Sequence, residues 1–316
     1  MNILITGVHG FVGSNLVEYL KGDHIIYGLD IVAPEKEGVV KTFTWDELEN
    51  LPQIDAIIHL AGKAHDTKNK SAAEVYFQVN TGLTQKIFDY FMASSAKKFI
   101  FFSTAKAAAD RVEGVLTEEV IPSPVGPYGE SKIAAENYIL DKLKIENGKL
   151  KNKTLQKDVY ILRPCMIHGP GNKGNLNLLY GIVRKGIPWP LGAFENRRTF
   201  TSIENICFVV NGLLTQDIAS GIYNMGDDEA LSTNELIEVI CESLGKKARI
   251  WRFPKGLMTG VAKIGRWLHL PLNPERLQKL TENYVSSNAK IKNALGIEKM
   301  PVDAHDGLLR TLKSFE

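Results

Sequence analysis

The sequence predicts an α/β fold, a doubly wound parallel sheet with a smaller C-terminal lobe. Short, nearly all-apolar runs at Met1–Thr6, His24–Leu29, 54–62, Lys98–Phe102 and Val159–Leu162 alternate with helical patterns at Ser14–Lys21, Val75–Ser94 and from Tyr128 onward. Strands covered on both faces read as unbroken apolar runs, and parallel neighbours need helical crossovers between them. The runs also end in small or hydroxyl-bearing residues, as at Gly7, Gly62 and Ser103-Thr104. Ligands of parallel sheets lie against such carboxyl edges. With 316 residues, 44% of them hydrophobic, the chain has enough apolar material for a full core. The division expected is 1–164 for the sheet domain and 165–316 for the lobe, with 199–225 a candidate to return to the sheet.

The first strand runs into Gly7-Val8-His9-Gly10-Phe11-Val12-Gly13 and then into a helix. The first glycine permits the tight exit, the second lets a pyrophosphate approach the backbone, and the third lets helix and strand pack closely. Phe11 and Val12 belong to this cofactor-binding turn, and the helix that follows, Ser14–Lys21, offers its free N–H groups to the phosphates. These residues mark a Rossmann-type dinucleotide site. Asp30 ends the next strand, twenty residues beyond Gly10. A carboxylate there accepts hydrogen bonds from a ribose diol and repels a 2′-phosphate, which favours NAD over NADP. Lys36 is the one nearby cation that argues otherwise, and a solvated loop lysine is the simpler account of it. Leu60, Ala61 and Gly62 close the third run, with side chains small enough at its end for a ligand to lie on the backbone. His59 sits within that apolar run and reads as a satisfied core histidine.

Tyr128 and Lys132 lie at i and i+4, one helical turn apart on one face. A phenol normally loses its proton only near pH ~10. A neighbouring ammonium favours the phenolate, which suits the pair to proton exchange with a sugar or alcohol oxygen. The same spacing occurs on ordinary helix faces. Its meaning here comes from Gly7, Asp30, Gly62 and Thr104, all placed at strand ends.

The formal charge of +2 gives no case for a nucleic-acid partner. Cys165, Cys207 and Cys241 lack metal-ligand spacing, so no metal is expected and a reduced compartment suits them. Ile3-Leu4-Ile5 is far too short to span a bilayer. A cytoplasmic protein without a membrane partner is expected. Residues 141–158 hold six lysines and read as a solvated helix end and loop. The apolar stretch 253–275, with Trp267, Leu268 and Leu270, is open to three readings: core, lid or partner-facing patch.

Taken in order, these residues resemble the extended short-chain dehydrogenase/reductase family, the nucleotide-sugar branch of the NAD-dependent epimerases and dehydratases. Gly7, Gly10, Gly13, Asp30, His59 to Gly62, Asn80, Ser103-Thr104, Tyr128, Lys132, Arg163-Pro164 and Gly169-Pro170-Gly171 follow the family's sequence of motifs. The resemblance implies that Tyr128 is the acid/base and that Lys132 lowers its pKa while holding the nicotinamide ribose. Thr104 would bond the reacting oxygen, with Ser103 as second candidate, and Asn80 would belong to the cofactor site. Asn175 and Arg198 match positions that contact the substrate's diphosphate, Arg197 being the rival for the second. The 188–192 segment would pass near the base, and a homodimer would form through helices near 80–95 and 128–143. His59 to His65, Ser103 to Lys106 and Asn196 to Phe200 are similar to a narrower group of UDP-glucose 4-epimerase-like proteins and 4-keto reductases of surface-polysaccharide synthesis. The chain departs from the family at Ala107–Ala109 and at Thr44-Trp45, where an acidic adenine contact is usual.

Three functions follow as expectations. The first is an NAD-dependent 4-epimerase of a UDP-hexose or UDP-N-acetylhexosamine. The second is an NAD(P)H-dependent 4-keto reductase of a UDP-N-acetyl-6-deoxyhexosamine. The third is a non-catalytic NAD-binding module, for which an intact Thr104-Tyr128-Lys132 set has no use. A dehydratase would need an Asp-Glu pair where Ala105-Lys106 stands.

Overall fold

The computed structural model describes residues 1–64, 72–149, 157–172, 174–267 and 272–315. From the N-terminus, β1 (Asn2–Thr6) leads through the glycine turn to α1 (Phe11–Leu20), β2 (Ile25–Asp30), β3 (Lys41–Thr44) and β4 (Ala56–His59). Next come α2 (Ala73–Tyr76), a π-helical turn (Phe77–Gly82), α3 (Leu83–Ala93), β5 (Lys98–Phe102), α4 (Ala105–Ala108) and β6 (Val115–Leu116). The middle holds α5 (Pro127–Lys149), β7 (Asp158–Pro164), β8 (Met166–His168), α6 (Asn175–Arg184), β9 (Phe200–Ser202), α7 (Ile203–Thr215) and β10 (Gly221–Met225). The chain ends with α8 (Thr233–Ser243), α9 (Lys255–Trp267), α10 (Pro274–Thr281), β11 (Val285–Ser286), α11 (Ala289–Leu295) and α12 (Ala304–Lys313).

Seven strands form one sheet in the order β3-β2-β1-β4-β5-β7-β10, every neighbouring pair parallel. Alternation along a strand sends side chains to opposite faces. Ile3, Ile5, Ile58 and Ile100 accordingly pack with Leu16 of α1 and Val210 of α7, whereas Leu4, Ile57, Phe99 and Phe101 pack with Phe88 of α3 and Ile139 of α5. Both faces are covered, which is why these strands carry no polar alternation. Strand order reverses between β1 and β4, so the ligand crevice of such a sheet opens beyond Thr6 and His59.

After β8, α6 and β9 the chain re-enters this sheet: β10 pairs with β7, Tyr223 opposite Leu162. A second core, including Leu176, Tyr180, Trp189, Ile240 and Leu308, holds the C-terminal lobe together. Ser232 caps α8 reciprocally with Glu235, as its Ser-x-x-Glu spacing indicates.

Some local features differ from the sequence reading. β3 is an additional edge strand, too short and polar (Lys-Thr-Phe-Thr) to stand out from a loop. The run at 54–62 is strand only over 56–59, because Leu60 to Gly62 turn across the end of β1. The helix around 75–94 contains the π-helical turn that carries Asn80. Within 253–275, Met258 and Ala262 belong to the second core. His65, the side chain of Trp267, Leu268, Leu270 and most of 145–156 fall outside the described residues.

Candidate active site

The glycine turn is built by contacts that leave no room for side chains. Gly7 has φ +70°, and a Cβ there would come within 3.0 Å of the Ala61 nitrogen. At Gly13 a Cβ would stand 2.5 Å from the Gly7 carbonyl oxygen, so α1 sits directly on the turn. Gly10 is extended and precedes Phe11, leaving the N-terminal N–H groups of α1 open toward the crevice. Asp30 accepts from the His9 N–H at 3.1 Å and the Ile31 N–H at 2.8 Å, tying the end of β2 to the turn. Lys36 is not a loose loop lysine: its ammonium reaches the Ser14 hydroxyl on α1 at 3.0 Å. Phe11 lies under Gly169, where a Cβ would be 3.3 Å from its ring, and Asn15 donates to the Pro170 carbonyl. The cofactor helix and the Gly169–Gly171 turn are thus packed together.

Thr104 caps α4, accepting from the Lys106 N–H at 3.3 Å, and its hydroxyl lies on the side of the Tyr128 phenol, where it favours the phenolate. Gly129 makes this approach possible, since a Cβ there would lie 2.7 Å from the Lys106 carbonyl oxygen. Ser103 is excluded from the same task because its hydroxyl donates to Glu136 in the interior. The Tyr128 ring packs edge-on against Tyr76 at 6.5 Å. One turn along α5, the buried Lys132 ammonium donates to the Phe102 carbonyl at 2.8 Å. A Cβ on Gly62 would be 3.1 Å from that ammonium and 2.9 Å from the Asn80 side-chain oxygen. Gly62 is therefore a cradle where the end of β4 passes against the helix bearing the acid/base candidates.

The electrostatics differ from the sequence reading in one respect. In the protein alone, burial pushes the Tyr128 phenol above its ordinary value, and the Thr104 hydroxyl only partly opposes this. The Lys132 ammonium does not depress it, being directed at the Phe102 carbonyl. Burial lowers Lys132 itself to about 8, with Glu136 pulling upward. Lys132 is ordinarily at 10.5, so between about 8 and 10.5 the unfolded chain holds a proton that the folded chain has released. Stability from this group then rises with pH across that window. Urea titrations of cofactor-free protein are expected to show wild type gaining on Lys132→Met from pH about 8 toward 10.5. Parallel pH curves would refute the assignment.

Beneath these groups runs a hydrogen-bonded chain whose direction can be deduced. The Thr6 hydroxyl oxygen accepts from the N–H groups of Leu60 and Ala61, at 3.1 and 3.0 Å. Its own proton then goes to His59 Nδ1, 2.7 Å away. His59 is thereby neutral with its hydrogen on Nε2, which donates to Thr84 (2.9 Å), and Thr84 donates to the Asn80 carbonyl (2.6 Å). Burial, with the nearby Lys132 charge, holds His59 well below its usual pKa, in agreement with this tautomer. The Asn80 amide uses both donors, on the Lys63 carbonyl at 3.1 Å and on Ser131 at 2.9 Å, while Ser131 donates to the Tyr128 carbonyl. Asn80 thus fastens the end of β4 to the first turn of α5. Glu136, one further turn along α5, pairs with the buried Arg163 at 2.5 Å. Sequence reasoning leaves Glu136 out, although it shares one helix face with Tyr128 and Lys132, and reads Arg163 only as part of the Arg163-Pro164 motif at the end of an apolar strand.

On the lobe side, Lys106 pairs with Asp110 at 3.0 Å and lies over the Tyr284 ring, 4.6 Å from its centre. Arg198 donates to the Lys279 carbonyl at 2.8 Å and pairs with Glu282 at 3.2 Å, half-buried. Arg198 and Tyr284 are also bridged through their backbones. The Lys106 segment, two residues from Thr104, and Arg198 therefore meet at Tyr284. Arg197 instead forms an exposed pair with Glu235. Asn175 is exposed at the first residue of α6. Cys165 is buried, its thiol pushed up to about 12 by burial, so it offers no nucleophile.

The model of the NAD dependent epimerase/dehydratase family matches residues 3–226. The chain belongs to this family. NAD is its cofactor, and the crevice fits one: the Gly7, Gly13 and Gly62 cradles, the open start of α1 and the Asp30 carboxylate all face the sheet's switch point. A family relative, the UDP-glucose 4-epimerase of Vibrio cholerae, is 31% identical over 80% of this chain and 78% of its own length. The N-acetyl-alpha-D-glucosaminyl-diphospho-ditrans,octacis-undecaprenol 4-epimerase of Escherichia coli O157:H7 is 27% identical over 82% of this chain and 78% of its own. In fold, the chain is similar to UDP-glucuronic acid 4-epimerase from Bacillus cereus, solved with NAD, at TM-score 0.75 and 20% identity over 99% of this chain and 96% of that one.

Proposed function

We propose that this family member is a 4-epimerase acting on a UDP-hexose or UDP-N-acetylhexosamine through a 4-keto intermediate. The observation that supports it most is the placement of Tyr128 beside Thr104 and one helical turn from the buried Lys132, which faces the Gly62 cradle. NAD supplies the redox chemistry when bound, accepting a hydride from the sugar and returning it. Tyr128 takes the proton of the 4-hydroxyl and later restores it, while Thr104 holds the same oxygen. Lys132, freed to face a bound ribose and phenolate, would hold its charge there and stabilise that phenolate. Asn80 and His59 are positioning residues, acting through Lys63, Leu60 and Ala61. Arg198, turning from Glu282, meets the substrate diphosphate with a bidentate guanidinium, and Asn175 contacts the same group. Residues 1–164 hold the cofactor and the lobe from 165 holds the sugar nucleotide. Pairing of two copies through α3 and α5 belongs to the same reading and is read directly by light scattering.

A net 4-keto reductase is the second reading, favoured by the raised phenol pKa, which keeps Tyr128 protonated and ready to donate. Incubation with UDP-glucose and with UDP-N-acetylglucosamine separates the two. The expected result is the C4 epimer by proton NMR with no net change at the reduced-nicotinamide absorbance. Stoichiometric consumption of reduced cofactor with a keto sugar would transfer the chain to the reductases. No turnover of either class would defeat both. A polyprenyl-diphosphate-linked N-acetylglucosamine belongs in the same panel, since Arg198 is suited to the diphosphate and not to the uridine.

A further inference from the structure

Helix α9 has two apolar stripes and uses only one of them for folding. Met258, Ala262 and Gly265 face inward and are buried. Leu257, Val261 and Ile264, at i, i+4 and i+7, form a second stripe that is 54%, 40% and 57% exposed. Trp251 and Phe253 stand exposed just before the helix, edge to face at 5.8 Å. Their segment is fixed: Trp251 donates its N–H to the Trp189 carbonyl at 2.8 Å, and Gly192 donates to the Trp251 carbonyl at 3.0 Å. Between Lys246 and Lys279 the chain carries nine lysines and arginines against the single acid Glu275, although the whole protein has a formal charge of only +2.

We propose that this face docks the protein on an anionic lipid surface, with α9 lying in the interface. An apolar stripe beside aromatic rings, flanked by cations, matches the boundary between acyl chains and phosphate headgroups. At 13 residues α9 is too short to cross a bilayer, and none of the described helices is long and apolar enough to do so. A second copy of this chain is a poor occupant, because two strongly basic faces repel. Nucleic acid has no use for the Leu257–Ile264 stripe. The face also adjoins the site: α10, which packs on α9, provides the Lys279 carbonyl that holds Arg198. The proposal departs from the expectation of no membrane partner. The docking does not depend on which sugar the enzyme converts.

Flotation of the full chain with vesicles of phosphatidylcholine, alone or mixed with phosphatidylglycerol, tests this. Binding is expected to the anionic vesicles and to weaken with salt. Lys247→Ala and Lys263→Ala are each expected to lower partitioning about five-fold. Leu257→Glu/Ile264→Glu is expected to abolish binding while melting temperature and NAD binding stay at wild-type values. Equal binding to both vesicle compositions, or retention by the double variant, overturns the proposal. So does a fall in the double variant's light-scattering mass, which would assign the face to a second copy. Absence of vesicle binding also overturns it and leaves an acidic protein as the occupant.

Discussion

Tyr128→Phe is expected to keep NAD bound and to lose turnover by about 10²–10⁴-fold, the usual contribution of a positioned acid/base. The substitution removes one oxygen, the one on which the Thr104 hydroxyl acts. The ring's edge contact with Tyr76 survives, as does the bond from Ser131 to the backbone carbonyl of residue 128. Lys132, Gly62 and Asn80 keep their contacts, because none of them involves the phenol oxygen. Thr104→Val is expected to be milder in turnover and to cost about 1 kcal/mol of stability, because that hydroxyl also caps α4. Release of NAD together with activity in Tyr128→Phe would show that Tyr128 holds the cofactor and is not the acid/base. Unchanged turnover would show that another group moves the proton.

The parts of this site visible in the sequence are those with short-range signatures. Gly7, Gly10 and Gly13 stand at fixed offsets after an apolar run, and Tyr128 and Lys132 share a helix face. Buried parallel strands are equally legible, since burial on both faces removes polar residues from them. The connections between distant segments are not legible. His59 meets Thr6 across 53 positions, Asn80 meets Ser131 across 51, and Arg163 meets Glu136 across 27. No local pattern around any of these residues names its partner, and only the fold provides it. Lys36 is a similar case: its ammonium returns to Ser14 on α1, which no local pattern announces. The outward stripe of α9 is a third kind of case. Its i, i+4, i+7 spacing is visible, but exposure separates it from the inward stripe one position away.

Glu136→Gln is expected to destabilise the protein by about 3–5 kcal/mol, as breaking a buried ion pair does. The carboxylate accepts from Arg163 Nε at 3.0 Å, from Nη2 at 2.5 Å and from the Ser103 hydroxyl. Glu136 is fully buried and Arg163 is among the largest fully buried side chains, so no solvent compensates a lost charge. An amide supplies one acceptor oxygen in place of two and turns N–H groups toward the guanidinium. Calorimetry of Glu136→Gln should show a clearly lower melting temperature, and the double variant Glu136→Gln/Arg163→Met should recover part of it. Activity carries a separate signature. Glu136 holds the Lys132 proton, so its neutralisation moves the Lys132 pKa further below about 8. Fewer Lys132 groups are then charged at neutral pH, and kcat is expected to fall on the alkaline side sooner than in wild type. A destabilised variant with an unmoved pH profile would leave Glu136 a structural residue only. A variant as stable as wild type would mean that Arg163 finds another counter-charge, and the pair would lose its place as the brace between α5 and β7.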